Sequence, residues 1–463
     1  MKRTIYTTVS ALALMTATPA FAAPGSNTSA VNQTGTNATA TVSQGGSNSD
    51  SAITQGGDVN NANVNQDGAQ TGASSSIDQG GSDNDAFVTQ SDDGTGLDPF
   101  AVSDINQGGN SNTATVNQAS GTAPTGSYAH ESYIDQSGDT NDATVTQVDD
   151  DQVSYISQSS SGNSATVDQG DAAAVAADAS WGNDSFITQA GGGGHSADVS
   201  QKSRFNYSAI TQDGDDNTAD VDQGGGDINT STIYQGGANN GATVAQTGAA
   251  NGSNINQTST GNVASVNQTG NGNSSNIGQS SGYSASFGYF AVGDTSGLAE
   301  VSQVGDNHQS NISQSGLANI ADIAQATSGN LSNVSQSGEG TYAGVNQTGA
   351  DNDSNVNQSG TGTNFSLAFT VDQSGARNLS NLTQTGSFVR ADVLQSSDDN
   401  VSDIDQGGSS NTAYLTQGGD MNLSTILQAG MSNTATVSQG SDANTSNVNQ
   451  SGSNNTAAVT QGM

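Results

Sequence analysis

Three histidines, His130, His195 and His308, carry the only side chains in this sequence that ordinarily titrate near neutrality. They read as residues of links and turns that share no repeat position, so no catalytic or metal-binding set is expected from them; such a set must converge on one point. The chain has no cysteine, which removes thiol nucleophiles, thiolate metal sites and disulfides. Carboxylates dominate the charge, and most are Asp, as at Asp215, Asp216, Asp220 and Asp222. In turns and outward strand positions they form a solvated surface that limits aggregation. Stacked on one another they would also offer oxygen ligands to Ca²⁺, as a weak modulator and not as a resident cofactor. The Ca²⁺-binding nonapeptide repeat GGxGxDxUx has a different period, and no cofactor is expected.

The chemical group that does recur at fixed spacing is the carboxamide. Ser208 to Gln223 reads SAITQDGDDNTADVDQ, with the skeleton Ser208, Ile210, Gln212, Gly214, Asn217, Ala219, Val221 and Gln223. Two five-residue blocks, S-x-I-x-Q and A-x-V-x-Q, flank a turn containing Gly and Asn. Alternate residues of a strand share a face, so Ser208, Ile210 and Gln212 point the same way. The pattern recurs at Ser310, Ile312, Gln314, Asn319, Ala321 and Gln325. An inward Gln buried without a partner is unfavourable. Stacked at strand spacing, its amide bonds to the next, and the turn residues Asn60, Asn141, Asn217, Asn319 and Asn352 are expected to do likewise. Gly57, Gly138, Gly214, Gly316 and Gly349 are expected to supply the positive φ of a tight arch.

The elements that position these amides are copies of one unit. Ser-type blocks start at Ser29, Ser51 and Ser75 and continue to Ser446, giving about 18 units with a basic period of 22 residues. One Ile and one Val cannot offset the backbone entropy of ordering such a unit alone, so the units must stack. The expected fold is all-β: a β-solenoid of stacked strand–turn–strand rungs forming two facing parallel sheets, compatible with cross-β packing and on the order of 85 Å long. The stretches 91–102, 119–131, 170–184, 280–298 and 359–366 read as insertions that avoid the blocks; the last precedes a degenerate block, Phe369 to Gln373. Loops off a regular stack grow cheaply.

Composition sharpens this reading. Hydrophobic residues make up 31%, glycines number 60 and formal charge is -37, values that suit a disordered chain unless the few apolar residues fall at fixed intervals, as they do here. Nucleic acid, which needs basic patches, is excluded as a partner. Residues 1–22 read as a signal peptide: Lys2 and Arg3, an apolar run from Val9 to Met15, and Ala20-Phe21-Ala22 before a cleavage point at Ala23. The apolar run is too short to span a bilayer, so no membrane insertion is expected. A short lead, 23–28, precedes the repeat array at 29–463. Tyr133, Tyr155, Phe186 and Tyr234 fall at outward positions and, with Trp181 and the Tyr283–Phe290 cluster, offer adhesive patches. The first block (Ser29, Val31, Gln33) and the last (Ala457, Val459, Gln461) are expected to leave their strand edges bare for templating the next molecule.

The unit S-x-I-x-Q-x-G-x-x-N-x-A-x-V-x-Q resembles the curlin repeat of bacterial curli fibre subunits. The resemblance implies a secreted functional amyloid subunit that polymerises into fibres of the biofilm matrix, is its own principal partner, and uses a nucleator and a secretion apparatus. It implies no enzyme. This chain departs from the family pattern in carrying many more repeats and a shorter lead before them. The competing reading is a monomeric repeat rod, either an adhesin or an ice-binding surface. Its outward positions mix Thr, Asn, Asp, Ser and aromatics, whereas ice binding requires a regular Thr array.

Overall fold

A computed structural model describes residues 26–45, 47–68, 72–92, 101–120, 130–148, 151–170, 182–280, 297–361 and 370–462. Each block becomes a strand because its apolar residues alternate with polar ones. Strand Tyr207–Asp215 is followed by Thr218–Gln223, and each pairs in parallel with the second strand before it and the second after it. The chain therefore crosses between two sheets at every turn. Each sheet holds 18 strands, and no helix occurs among the described residues. This is the expected all-β solenoid with two facing parallel sheets.

Register is set by the repeat. Ser208 pairs with Ser231, Ile210 with Ile233 and Gln212 with Gln235 in one sheet. Ala219 pairs with Ala242, Val221 with Val244 and Gln223 with Gln246 in the other. A slip by one residue would turn the Ile and Val rows out to water and the polar rows inward, so the pattern holds the stack in place. Ile210 and Val221 are 1% and 0% exposed, inside one continuous core of Ile, Val and Ala from both sheets.

The turns correct the expectation for glycine. Of the five motif glycines named above, only Gly214 has positive φ, and there the strand runs on to Asp215. The left-handed residue is instead the one before the turn Asn: Val59, Thr140, Asp216, Ala318 and Asp351 have φ of 60°, 58°, 51°, 53° and 56°. Glycine is required for room. A Cβ on Gly57 would lie 1.8 Å from the Gly81 carbonyl oxygen of the next rung, and one on Gly316 only 1.5 Å from that of Gly338. Stacking presses these turns together backbone against backbone.

The insertions lend residues to the stack at their margins. Strands Asp85–Asp92 and Thr113–Ser120 run into two of them, and Val102, Glu131, Asp184 and Leu298 open the strands that follow four of them. The degenerate block contributes strand Thr370–Gln373. Residues 1–25, Trp181, Tyr283–Phe290 and Phe369 lie outside the described residues, as does most of each insertion.

Candidate assembly surface

Each inward Gln is held from two sides. Gln212 Nε2 donates to Gln235 Oε1 at 2.9 Å and to the Ser196 and Asn217 carbonyls at 2.9 and 3.0 Å. Gln314 and Gln325 repeat the pattern, donating to Gln336 and Gln347 at 2.8 Å each. One ladder runs from Gln33, which donates to Gln55 at 2.6 Å, to Gln450; the other runs from Gln44 to Gln461. Throughout, the donor belongs to the earlier rung. Aligned amides polarise one another, so a ladder with one sense is internally reinforcing.

The turn residues Asn60, Asn217, Asn319 and Asn352 work differently from the side-chain ladder expected of them, although Asn455 does donate its amide to Asn433 Oδ1 at 3.0 Å. Asn Oδ1 accepts the backbone N–H one rung later: Asn60 from Asn84 at 3.0 Å, Asn217 from Asn240 at 2.9 Å, and Asn352 from Asn378 at 2.9 Å. Asn319 accepts from both the backbone and the hydroxyl of Thr341.

This geometry also corrects the reading of the histidines. His130, His195 and His308 each stand immediately before a strand, in the position of the turn Asn, and are 3%, 1% and 0% exposed. His195 Nδ1 accepts the Asn217 N–H and His308 Nδ1 that of Asn330, both at 3.3 Å. Their Nε2 atoms lie 2.9 Å from the Ala190 carbonyl and 3.3 Å from that of Val304. Nδ1 is attached to Cγ as Asn Oδ1 is, so a neutral imidazole can replace the amide provided Nε2 carries the proton. A shared position with variable loop lengths around it hid this equivalence in the sequence.

The inward Ser row is less well satisfied. Among the described residues the Ser208 and Ser310 hydroxyls have no hydrogen-bond partner, whereas Ser402 donates to Ser380 at 3.0 Å. Outward carboxylates stack on the Ala-type sheet, where Asp198 pairs with Asp220. Burial pushes the Asp220 carboxyl above its ordinary value, and the charges of Asp198 and Asp222 add to the effect. Among the described residues no three His, Asp or Glu side chains are placed to hold a metal ion.

The ends of the stack differ from its middle. Strands Thr28–Gln33 and Thr39–Gln44 pair only with later strands, and Thr445–Gln450 and Thr456–Gln461 only with earlier ones. Ser29 and Gln33 are exposed, Val31 half-buried; Ala457, Val459 and Gln461 are all half-buried, unlike their counterparts within the stack. Nothing among the described residues covers these edges. By the sense of the ladder, Gln450 and Gln461 present amide donors at one end, and Gln33 and Gln44 present Oε1 acceptors at the other.

No curated protein matches the chain. The family model of the curlin associated repeat matches it at residues 196–225 and 415–440. The first match contains the His195-flanked strand Ser196–Gln201 and the reference unit's second strand, and the second contains Thr434–Gln439, all within the same continuous ladders. With its motif residues stacked like on like in both sheets, the chain carries the curlin associated repeat at these two places.

Proposed function

We propose that this chain is a secreted structural subunit that assembles end to end into extracellular, curli-like amyloid fibres, with no catalytic role. The observation that carries this reading is the single sense of the Gln ladders. One edge offers amide donors and the other acceptors, so a second copy placed on Gln450 and Gln461 continues both ladders through its own Gln33 and Gln44. In a parallel ladder, alternate residues bond to opposite neighbours. Thr28 donates to Ser49 of the following rung, and Thr434 to Asn455. The same alternation leaves the N–H groups of Thr456, Ala458 and Thr460 aimed past the last rung. An unpaired edge of this kind recruits strands. The signal peptide read at residues 1–22 accounts for delivery, and the nucleator and export machinery are partners suggested by the resemblance alone.

The test is seeded growth of the purified mature protein. Thioflavin-positive fibres with a meridional reflection at about 4.7–4.8 Å are expected, and sonicated fibres should abolish the lag. Protein that remains monomeric for days at high concentration, with or without seeds, would overturn the reading in favour of a monomeric rod.

A further inference from the structure

The two broad faces of the solenoid are not alike. On the Ser-type sheet, the two outward rows flanking the central Ile, Val or Leu carry no charge over ten successive rungs, from Tyr155 and Ser157 to Asn381 and Thr383. Asp135 bounds this window on one side, and Asp403 and Asp405 on the other. Within it, the acidic residues of the strands lie at strand ends, as Asp184 and Asp353 at the starts and Asp213 and Asp215 past Gln212. Over the same rungs the opposite sheet bears Asp168, Asp198, Asp220, Asp222, Glu300 and Asp322. A chain of formal charge -37 thus keeps two adjacent outward rows of this face neutral along ten rungs.

That face is also regular. Asn254, Asn276, Asn311, Asn333, Asn355 and Asn381 occupy one row on successive rungs. Asn311 donates to Asn333 at 2.9 Å, Asn333 to Asn355 at 2.8 Å and Asn355 to Asn381 at 3.1 Å. Beside them the short side chains of Ser313 and Ser335 leave a furrow of about 470 Å³ running along the stack. Earlier rungs of the face carry exposed Tyr155, Phe186 and Tyr207, the last two with ring centroids 5.8 Å apart.

We infer that this face is where a second copy of the chain docks side by side, sheet against sheet. The rung spacing of an identical molecule matches that of the Asn row, so contacts made at one rung recur at the next without drift. Like-charged molecules repel, and the neutral window is where two such chains approach at least electrostatic cost. Ten rungs at about 4.8 Å, crossed by strands about 17 Å long, give about 800 Å² per copy, the size of a standard stable interface. Side-by-side pairing is independent of growth at the strand edges and takes place between single molecules.

Sedimentation velocity on freshly purified, unassembled mature protein tests it. The wild type is expected to dimerise at micromolar concentration. Asn311→Asp/Asn333→Asp places four carboxylates in the dimer and is expected to weaken pairing more than tenfold, with partial recovery in high salt because surface charge is screened. Thr115→Asp/Thr144→Asp, the same change on adjacent rungs of the opposite face, is expected to leave the dimer intact. A wild type that stays monomeric, an Asn pair variant that dimerises normally, or equal loss with the Thr pair would each overturn the inference. A salt-insensitive loss in the Asn pair variant would do so as well. Co-sedimentation with a soluble neutral glucan that competes with dimerisation and is lost in the Asn pair variant would assign the face to a glycan instead.

Discussion

Proline at position 458 separates growth at the strand edge from stability of the subunit. Ala458 lies at an exposed, outward position of the last strand, Thr456–Gln461. By the alternation of the parallel ladder its N–H faces beyond the final rung and serves no bond among the described residues. An edge strand tolerates proline on its free side, so Ala458→Pro should leave the melting temperature of the unassembled protein nearly unchanged. In the fibre, that N–H would meet the Ala40 carbonyl of an incoming copy. Its loss removes one hydrogen bond, about 0.5–1.5 kcal/mol, and leaves a buried carbonyl unsatisfied at about 1–3 kcal/mol. A combined penalty of about 2–4 kcal/mol corresponds to a rise of roughly 30- to 700-fold in the critical concentration for elongation. The assay is elongation of wild-type seeds by soluble variant, read as residual monomer at the plateau. Wild-type plateau concentrations for the variant would refute edge-directed assembly.

Three further outcomes follow from the geometry. Ser208→Ala removes a buried hydroxyl that has no partner among the described residues and should leave stability unchanged or raise it by up to about 1 kcal/mol in chemical denaturation; a clear loss would show that the Ser row bonds in solution. Gly316→Ala forces a methyl against the Gly338 carbonyl and should destabilise by about 1–3 kcal/mol, as overpacking does, whereas Gly241→Ala, where the added carbon meets nothing, should cost far less. His308 must be neutral to accept from Asn330, and burial holds its pKa below the ordinary histidine value against the opposing pull of the Val304 carbonyl and Asp306. The unfolded chain therefore takes up the proton first, so the His308 contribution is fully present above about pH 6.5 and declines as pH falls below it. His308→Asn should flatten the melting temperature between about pH 6.5 and 5.5, and an unaltered slope would exclude the neutral-acceptor role. Nearer pH 4 the sign reverses, because burial raises the pKa of Asp220 and Asp322 and the folded state takes up protons first.

The sequence by itself determined everything that depends on period two along a strand and on the recurring unit. The alternation in SAITQ and ADVDQ makes strands, assigns Ile210 and Val221 to the core and Gln212 and Gln223 to its polar flank, and leaves stacking as the only way to order so polar a chain. What happens between rungs was not legible, because it joins residues 22 to 35 positions apart through loops of unequal length. His308 takes over the turn Asn position by accepting from Asn330 while its own N–H reaches Asn273, 35 residues back. Gly316 is required by a carbonyl that only the next rung brings close, while the left-handed residue is Ala318. The sense of the Gln ladders and the long uncharged outward rows are likewise properties of the pile and not of the unit. Local alternation fixes which way a side chain points, but only the assembled stack decides what it meets there.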